Sequence, residues 1–412
     1  MSTWRNNRRI LLGISGGIGA YKIPELVRAW IKSGSQVEII MTKSAENFVT
    51  PLVLSTLTGR AVWREQDLMS GELGWKIPHI SLADWAELFV LAPCTANLLR
   101  ICAQGDSSTL LGAALLAYQG ERILFPAMNV HMWDHPATQG HLKRIYEMGY
   151  YVVDPDSGLL ACGYEGRGRL PHVSAIEAHC WRLLYPKKDL KGQRVLITAG
   201  PTHEYIDPVR YISNPSSGKM GYALAVDAWR RGADVTLISG PTHLPPPEGV
   251  TVVPVLTATD MEQACVQRMG ENDIIIKAAA VGDFRAADIA NKKIKRKGRE
   301  DITLHLVQNP DIAAALGRIK TKDQFLVGFA AETDDLEKNA RQKIIDKKLD
   351  MIVANDVSGA HAGFAVDTNQ VQIFTSEGAA ATHAGTKEEV AEAIWDHIIA
   401  AVSMAKKSHP FN

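Results

Sequence analysis

RRILLGISGG at residues 8–17 and RVLITAGPT at 194–202 decide the fold, because each is an apolar strand running into a glycine-bearing loop. After the first come apolar residues at helical spacing (Ile23, Leu26, Val27, Trp30), then the turn Ser33-Gly34-Ser35 and a second strand over 37–41. After the second, Leu224, Ala225 and Trp229 repeat the helical pattern, Arg231-Gly232-Ala233 makes the turn, and 235–238 is the next strand. Strand, glycine loop, helix, turn and strand open a Rossmann-like parallel sheet, which binds ligands at the carboxyl ends of its strands. The expected fold class is therefore α/β with two such domains. Further strands are expected at 88–92, 122–125 and 151–153 in the first domain, and at 274–276, 325–327 and 351–353 in the second. The short charged stretch PKKDLKG, bounded by proline and glycine, divides the chain into 1–186, a linker at 187–192 and 193–412, with 406–412 reading as a frayed tail.

Composition narrows the class. At 412 residues the chain exceeds one core, and 46% hydrophobic with 22% charged residues suits globular domains. Lys plus Arg and Asp plus Glu both total 45, so no overall positive field exists to hold a nucleic acid or an anionic membrane. Five scattered cysteines without a CxxC pair argue against a disulfide framework and a structural zinc site, and for a reducing, cytoplasmic compartment. Arg5, Arg8 and Arg9 before the first strand superficially resemble a signal peptide, but Gly13, Gly16, Gly17 and Gly19 break the apolar run. No apolar run reaches the roughly 18 residues of a membrane helix.

The first loop, GISGGIGAYK (13–22), lacks the dinucleotide fingerprint, and the second strand ends in Met41-Thr42-Lys43-Ser44 where a ribose-binding acid would stand. The N–H groups of Gly16 and Gly17 at a helix start, with the hydroxyls of Ser15, Thr42 and Ser44, suit a phosphomonoester such as a flavin phosphate. Ordinary tight packing of the loop fits as well. In the second half, AGPTHEYIDPVRYISNPSSGKMG (199–221) ends in hydroxyls, glycine and lysine without Walker A spacing. KKIKRK (292–297) reads as a solvated face or a cationic cluster, while Lys343 and Lys347 share one face of a predicted helix. Two cationic clusters flanking glycine loops suit a nucleoside triphosphate. Asp283 fits a turn or cap as well as a metal ligand.

Three segments resemble the flavin-dependent cysteine decarboxylase superfamily, specifically the phosphopantothenoylcysteine decarboxylases: WKIPHISLADWAELFVLAPCTANLL (75–99), FPAMNVHMW (125–133) and LLACGYEGRGRL (159–170). The resemblance spans nearly all of 8–175. It implies a flavodoxin-like domain binding FMN, with Thr95 and Asn97 on the flavin side. It also implies His79 as acid or base, Asn129 holding the substrate carboxylate, and Cys162 on a glycine-hinged flap donating a proton. Tyr164 stands where the family commonly has an acid, and Gly105 to Thr109 also depart from its pattern.

Residues 190–400 resemble the phosphopantothenate–cysteine ligases, which activate 4′-phosphopantothenate as an acyl-cytidylate with CTP and Mg2+ and then let the cysteine amine displace CMP. The resemblance implies Asn214 at the acyl-cytidylate carbonyl, Arg210 assisting the cysteine half-reaction and Lys293 as the principal cation at the triphosphate. Ala278, Ala279, Ala280, Asp283, Asn309, Pro310, Asp311, Ile312, Phe329, Lys343 and Lys347 would complete the CTP site, with Asp283 facing the metal. Pro215 replaces a more usual polar or basic residue. Together the resemblances imply a fused enzyme of coenzyme A biosynthesis, a homo-oligomer that reaches a dodecamer through flavoprotein trimers and ligase dimers. A non-enzymatic regulatory flavoprotein, a peptide cysteine decarboxylase and a nicotinamide oxidoreductase are the rival readings.

Overall fold

The computed structural model describes residues 3–69, 77–161, 163–295, 302–332, 336–356, 368–376 and 378–408. Two compact units divide at Met1–Pro186 and Lys187–Asn412.

In the first unit the strands are β1 (Arg9–Ile14), β2 (Gln36–Met41), β3 (Trp63–Arg64), β4 (Leu88–Cys94), β5 (Glu121–Pro126), β6 (Tyr151–Val152), β7 (Asp156–Leu159) and β8 (Glu165–Arg169). The helices are α1 (Ile23–Lys32), α2 (Pro51–Thr58), α3 (Pro78–Trp85), α4 (Ala96–Gln104), α5 (Leu110–Ala117), α6 (Val130–Asp134), α7 (Pro136–Glu147) and α8 (Val173–Leu184). The parallel sheet runs β3-β2-β1-β4-β5-β6. Setting aside the two-residue β3, this is the flavodoxin-like order, whose switch point lies between β1 and β4. Alternation along β1 explains the layering. Ile10, Leu12 and Ile14 pack with Ile23, Val27, Trp30 and Ile176 on one face, and Leu11 packs with Leu82, Leu98, Leu111 and Leu142 on the other.

The second unit contains β9 (Arg194–Ala199), β10 (Glu204–Tyr205), β11 (Tyr211–Ile212), β12 (Asp234–Ser239), β13 (Thr251–Pro254), β14 (Ile274–Lys277), β15 (Phe284–Ala286), β16 (Leu306–Gln308), β17 (Phe325–Glu332), β18 (Met351–Asp356), β19 (Thr368–Thr375) and β20 (Gly378–Thr386). Its helices are α9 (Lys219–Arg230), α10 (Ala258–Met269), α11 (Ile312–Ile319), α12 (Leu336–Lys347) and α13 (Lys387–Ser408). The sheet runs β13-β12-β9-β14-β17-β18-β19-β20. It is parallel as expected through β18, but β19 and β20 extend it antiparallel. α13 continues to Ser408, so the first residues of the segment read as a tail are helical. Residues 187–192 fall within this unit. Leu190 is buried, and Asp189 pairs with the fully buried Arg231, which also holds Asp227 and Asp396.

Candidate active sites

In the first unit a cavity of about 710 Å3, within the ~300–1,000 Å3 usual for small-molecule sites, opens at the carboxyl ends of β1, β2, β4 and β5. Ser15, Gly16 and Gly17 line it after β1, Thr42 and Ser44 after β2, Thr95 and Asn97 after β4, and Asn129 after β5. A Cβ on Gly16 would stand 2.5 Å from Ser44 Oγ and 2.8 Å from its carbonyl carbon, so only glycine lets the two loops meet this closely. Ser15 joins the switch-point strands: its buried hydroxyl donates to the Pro93 carbonyl (2.7 Å) and accepts the Thr95 N–H (3.0 Å). That leaves its proton committed to the loop, while the Thr42 and Ser44 hydroxyls, 3.2 Å apart, face each other in the wall. Thr95 caps the N-terminus of α4, whose positive end is directed at the cavity.

Asn129 caps α6, its Oδ1 accepting the His131 N–H (2.8 Å). That bond fixes the flip of the amide and makes Nδ2 its donor end. The hairpin β7–β8 adds Leu159 to Ala161 and Gly168 to Leu170 to the same wall. Gly168 accepts the Met128 N–H (3.0 Å), and a Cβ there would lie 2.1 Å from the Met128 oxygen, so the hairpin docks directly on the Asn129 segment. Cys162, which follows β7 in sequence, lies outside the described residues. His79 does not line the cavity. It sits half-buried on α3, with a buried Nδ1 that has no hydrogen-bond partner among the described residues. Cys94 is buried in the core with a thiol pushed well above its ordinary range by desolvation and by Cys102, as suits a packing residue.

Two cations in this cavity escaped the sequence reading although both lie inside quoted motifs: Lys22 in GISGGIGAYK and Arg169 in LLACGYEGRGRL. Lys22 Nζ donates to the carbonyls of Leu170 (2.6 Å) and Pro171 (3.2 Å), tying the first loop to the root of the hairpin. Burial and the charge of Arg169 lower its pKa. An anion in the cavity would relieve both effects.

In the second unit a cavity of about 600 Å3 is lined by His203, Tyr211, Asn214, Ser216, Ser217, Lys219 and His243 among others. His203 and Tyr211 stack at 3.8 Å and 10°. The Asn214 amide donates to the carbonyls of Ala280 (3.3 Å) and Val281 (3.1 Å), bringing it against the segment Ala278 to Ala280. The latter is fixed in turn by Ala279 N–H to Thr198 Oγ1 (3.1 Å) and Ala280 N–H to Gly200 O (3.0 Å).

None of the other expected nucleotide residues lines this cavity. Asp283, Asn309, Asp311 and Lys347 form a second group near the end of β14. Asn309 donates to Asp283 O (2.8 Å) and Gly282 O (2.8 Å). After Pro310, Asp311 caps α11 through the Ala314 N–H (3.0 Å) and pairs with Lys347 (2.9 Å), and Ile312 is buried. Burial would raise the Asp311 carboxyl, but these partners hold it below its ordinary value. Phe329 follows Gly328, the register partner of Lys277, and Lys343 lies one turn before Lys347 on α12. Lys277 was not singled out from sequence. Burial pushes its ammonium down and Lys347 pushes it further, against the opposing charges of Asp311 and Asp283. Arg210 is committed to Asp207 (3.2 Å) and to the Ile294 carbonyl (3.1 Å), and Lys293 is exposed beside that contact. Among the described residues no group of three or more His, Cys, Asp or Glu side chains is arranged to hold a metal.

Family models match both halves: "Flavoprotein" over residues 1–183 and "DNA/pantothenate metabolism flavoprotein C-terminal domain" over 190–402. The coenzyme A biosynthesis bifunctional protein CoaBC of Vibrio cholerae is 44% identical over 393 residues, 95% of this chain and 98% of that protein. Its counterpart in Bacillus subtilis is 45% identical over 378 residues, 90% of this chain and 92% of that one. A crystal structure of the C-terminal domain of a CoaBC protein is 43% identical, covers 52% of this chain and 99% of its own, and superposes with a TM-score of 0.45. These relatives lend no support to a non-enzymatic reading. With both halves matched in order and relatives aligned nearly end to end, the chain belongs to the family of bifunctional coenzyme A biosynthesis proteins.

Proposed function

We propose that the second unit couples 4′-phosphopantothenate to cysteine through an acyl-cytidylate formed with CTP and Mg2+, and that the first decarboxylates the product to 4′-phosphopantetheine with FMN. The observation that carries this reading is one cavity that gathers the Gly16–Gly17 loop, the hydroxyls of Thr42 and Ser44, the start of α4 and the Asn129 amide. Such a cavity fits a flavin phosphate at one end and a substrate carboxylate at the other. FMN, when bound, supplies the two-electron oxidation of the substrate thiol and its reversal. The chain's own part is positional. Asn129 Nδ2 holds the carboxylate that departs as CO2, Lys22 and Arg169 lend positive charge, His79 moves the thiol proton and Cys162 returns a proton to carbon.

His79, on α3, is not among the residues that line the cavity with Asn129. A site needing both is completed by a second copy of the chain, consistent with flavoprotein trimers, and with ligase dimers the assembly is a dodecamer. In the second unit, Asn214 polarises the acyl-cytidylate carbonyl. Lys293, Lys343 and Lys347 neutralise the triphosphate, and Asp283 meets the Mg2+ that CTP brings. That ion commonly takes only one or two carboxylates alongside phosphate oxygens and water. No helix among the described residues is long and apolar enough to cross a membrane, which agrees with a cytoplasmic setting.

The test is a mass-spectrometric time course on the full chain with FMN, 4′-phosphopantothenate, cysteine, CTP and Mg2+. The cysteine adduct followed by 4′-phosphopantetheine, only when CTP is present, is the expected result. An adduct that never loses CO2 would remove the decarboxylase half, and no adduct at all would remove the ligase half.

A further inference from the structure

Asp207 has no role in the chemistry so far, yet it is fully buried and ionised, with four donors converging on it. Its Oδ1 accepts the N–H groups of Val209 (2.8 Å) and Arg210 (2.9 Å), closing the turn between β10 and β11. Its Oδ2 reaches across the chain to the Ile294 N–H (3.1 Å) and the Arg210 guanidinium (3.2 Å). The same Arg210 Nη1 donates to the Ile294 carbonyl, 84 residues away in sequence, so both peptide groups of Ile294 are held. A further bond, Ala290 N–H to Ile206 O (3.0 Å), runs alongside. Burial would raise the Asp207 carboxyl, but the N–H donors of Val209, Ile294 and Arg210, with the guanidinium charge, hold it below its ordinary value. Ile294 sits between Lys293 and Lys295, and both lysine side chains are exposed. The backbone at Ile294 is therefore fixed while the flanking cations Lys293 and Lys295 stay available.

We infer that Asp207 is a positioning residue for the ligase reaction: with Arg210 it pins Ile294 so that Lys293 is already in place when the nucleotide arrives. The inference rests on the proposed role of Lys293. It gives Arg210 a second duty, since part of its guanidinium serves the segment rather than the substrate. Without the latch, each binding event would have to order the segment first, which weakens CTP binding more than turnover at saturation.

Asp207→Asn separates the two arms. Its amide oxygen can keep the local turn through Val209 and Arg210, while its NH2 would meet the Ile294 N–H and the guanidinium donor to donor. In the full chain we expect Asp207→Asn to raise the Kd and KM for CTP about tenfold. The kcat at saturating CTP should stay within about threefold, and decarboxylation of supplied 4′-phospho-N-pantothenoylcysteine should be unchanged. In a Lys293→Gln background the same change should alter the CTP Kd less than about twofold, because the latch acts through that lysine. Additive effects in the double variant, or a lowered kcat with an unchanged KM, would overturn the assignment. Hydrogen exchange on the unmodified enzyme guards against a variant that fails to fold. The Ile294 amide should exchange at least about 100-fold more slowly than those of Lys293 and Lys295, and equal rates would overturn the latch itself. If Lys293→Gln binds and uses CTP normally, the lysine's role falls and the Asp207 assignment with it. The exchange result would still show which of the two ideas had failed.

Discussion

The two units begin with the same strand, glycine loop and helix, yet they use that opening differently. In the first, the loop after β1 is itself the wall of the site: Gly16 and Gly17 contribute backbone, Ser15 ties the loop to β4, and one cavity holds every described residue proposed for the flavin. In the second, the loop after β9 runs from Gly200 to Gly218 and carries its own hairpin, β10–β11. Of the expected ligase residues, Asn214 lines the cavity of about 600 Å3 described there and the others do not, and the cations come from segments far along the chain. The cofactor proposed for the first unit would be met by short side chains and backbone, whereas the triphosphate proposed for the second would be met by long cationic side chains, each needing separate support. Asp311 supports Lys347 in this way.

If that contrast is sound, backbone crowding should be most damaging in the first unit. Gly16→Val places branched carbons where a Cβ already meets Ser44 at 2.5 Å. The protein should purify without flavin colour and lose decarboxylation by at least about 100-fold, the scale of a 1 Å misplacement, while CTP-dependent ligation persists. Flavin retained at full stoichiometry would break the comparison. Asn129→Asp is subtler, because its carboxylate still accepts the His131 N–H and preserves the cap. It replaces only the donor with a charge that repels the substrate carboxylate. Decarboxylation should fall about 100- to 1,000-fold, the usual loss for one preorganised donor, with ligation unaffected. Parallel loss of both activities would mean that the halves are not independent.

Legibility from sequence followed the same divide. The apolar runs within β1, β2 and β9 announced both parallel sheets, and the residues expected at the first site lie in contiguous motifs, most of which meet at one cavity. The hairpin β19–β20 was not legible. GAAATHAGT has an alanine-rich composition that disfavours strands, and it is held extended by pairing with β19 across a bulge at Ile373/Phe374. Lys277 was hidden because KAAA reads as a strand end followed by small residues. Its ammonium is pushed down by burial and by Lys347, distant in sequence, against the opposing charge of Asp311. Asp207 was not singled out, because its partner Ile294 lies 87 residues away in sequence.

Charge support can be removed from the second unit without touching any proposed substrate contact. Arg231 is fully buried and holds Asp227, itself nearly buried, together with Asp189 and Asp396. Arg231→Met takes the guanidinium away from the buried Asp227 carboxylate, and breaking a buried pair of this kind typically costs about 3–5 kcal/mol. By size scaling, that lowers the melting temperature of a unit this large by roughly 6–20 °C. Calorimetry of the full chain should show the second unit's transition moving down while the flavin-linked transition stays. If both move together, the units are coupled in stability.

The smallest effect sharpens the comparison through pH. Burial would raise the Asp396 carboxyl, but hydrogen bonds from Lys187 (2.7 Å) and Arg231 (2.7 Å), with their charges, hold it below its ordinary value. A carboxylate with a lowered folded pKa contributes stability that is fully present above the unfolded value, near 4, and is lost as pH falls through the folded one. The side chain is 47% exposed, so solvent screening limits the contribution to roughly 1 kcal/mol or less. Asp396→Asn should therefore lower the second unit's melting temperature by a few degrees at pH 7, and the gap to the unmodified chain should close below about pH 4. A gap that stays constant from pH 7 to pH 3 would assign the effect to packing rather than charge, and would remove this ion cluster from the contrast between the two halves.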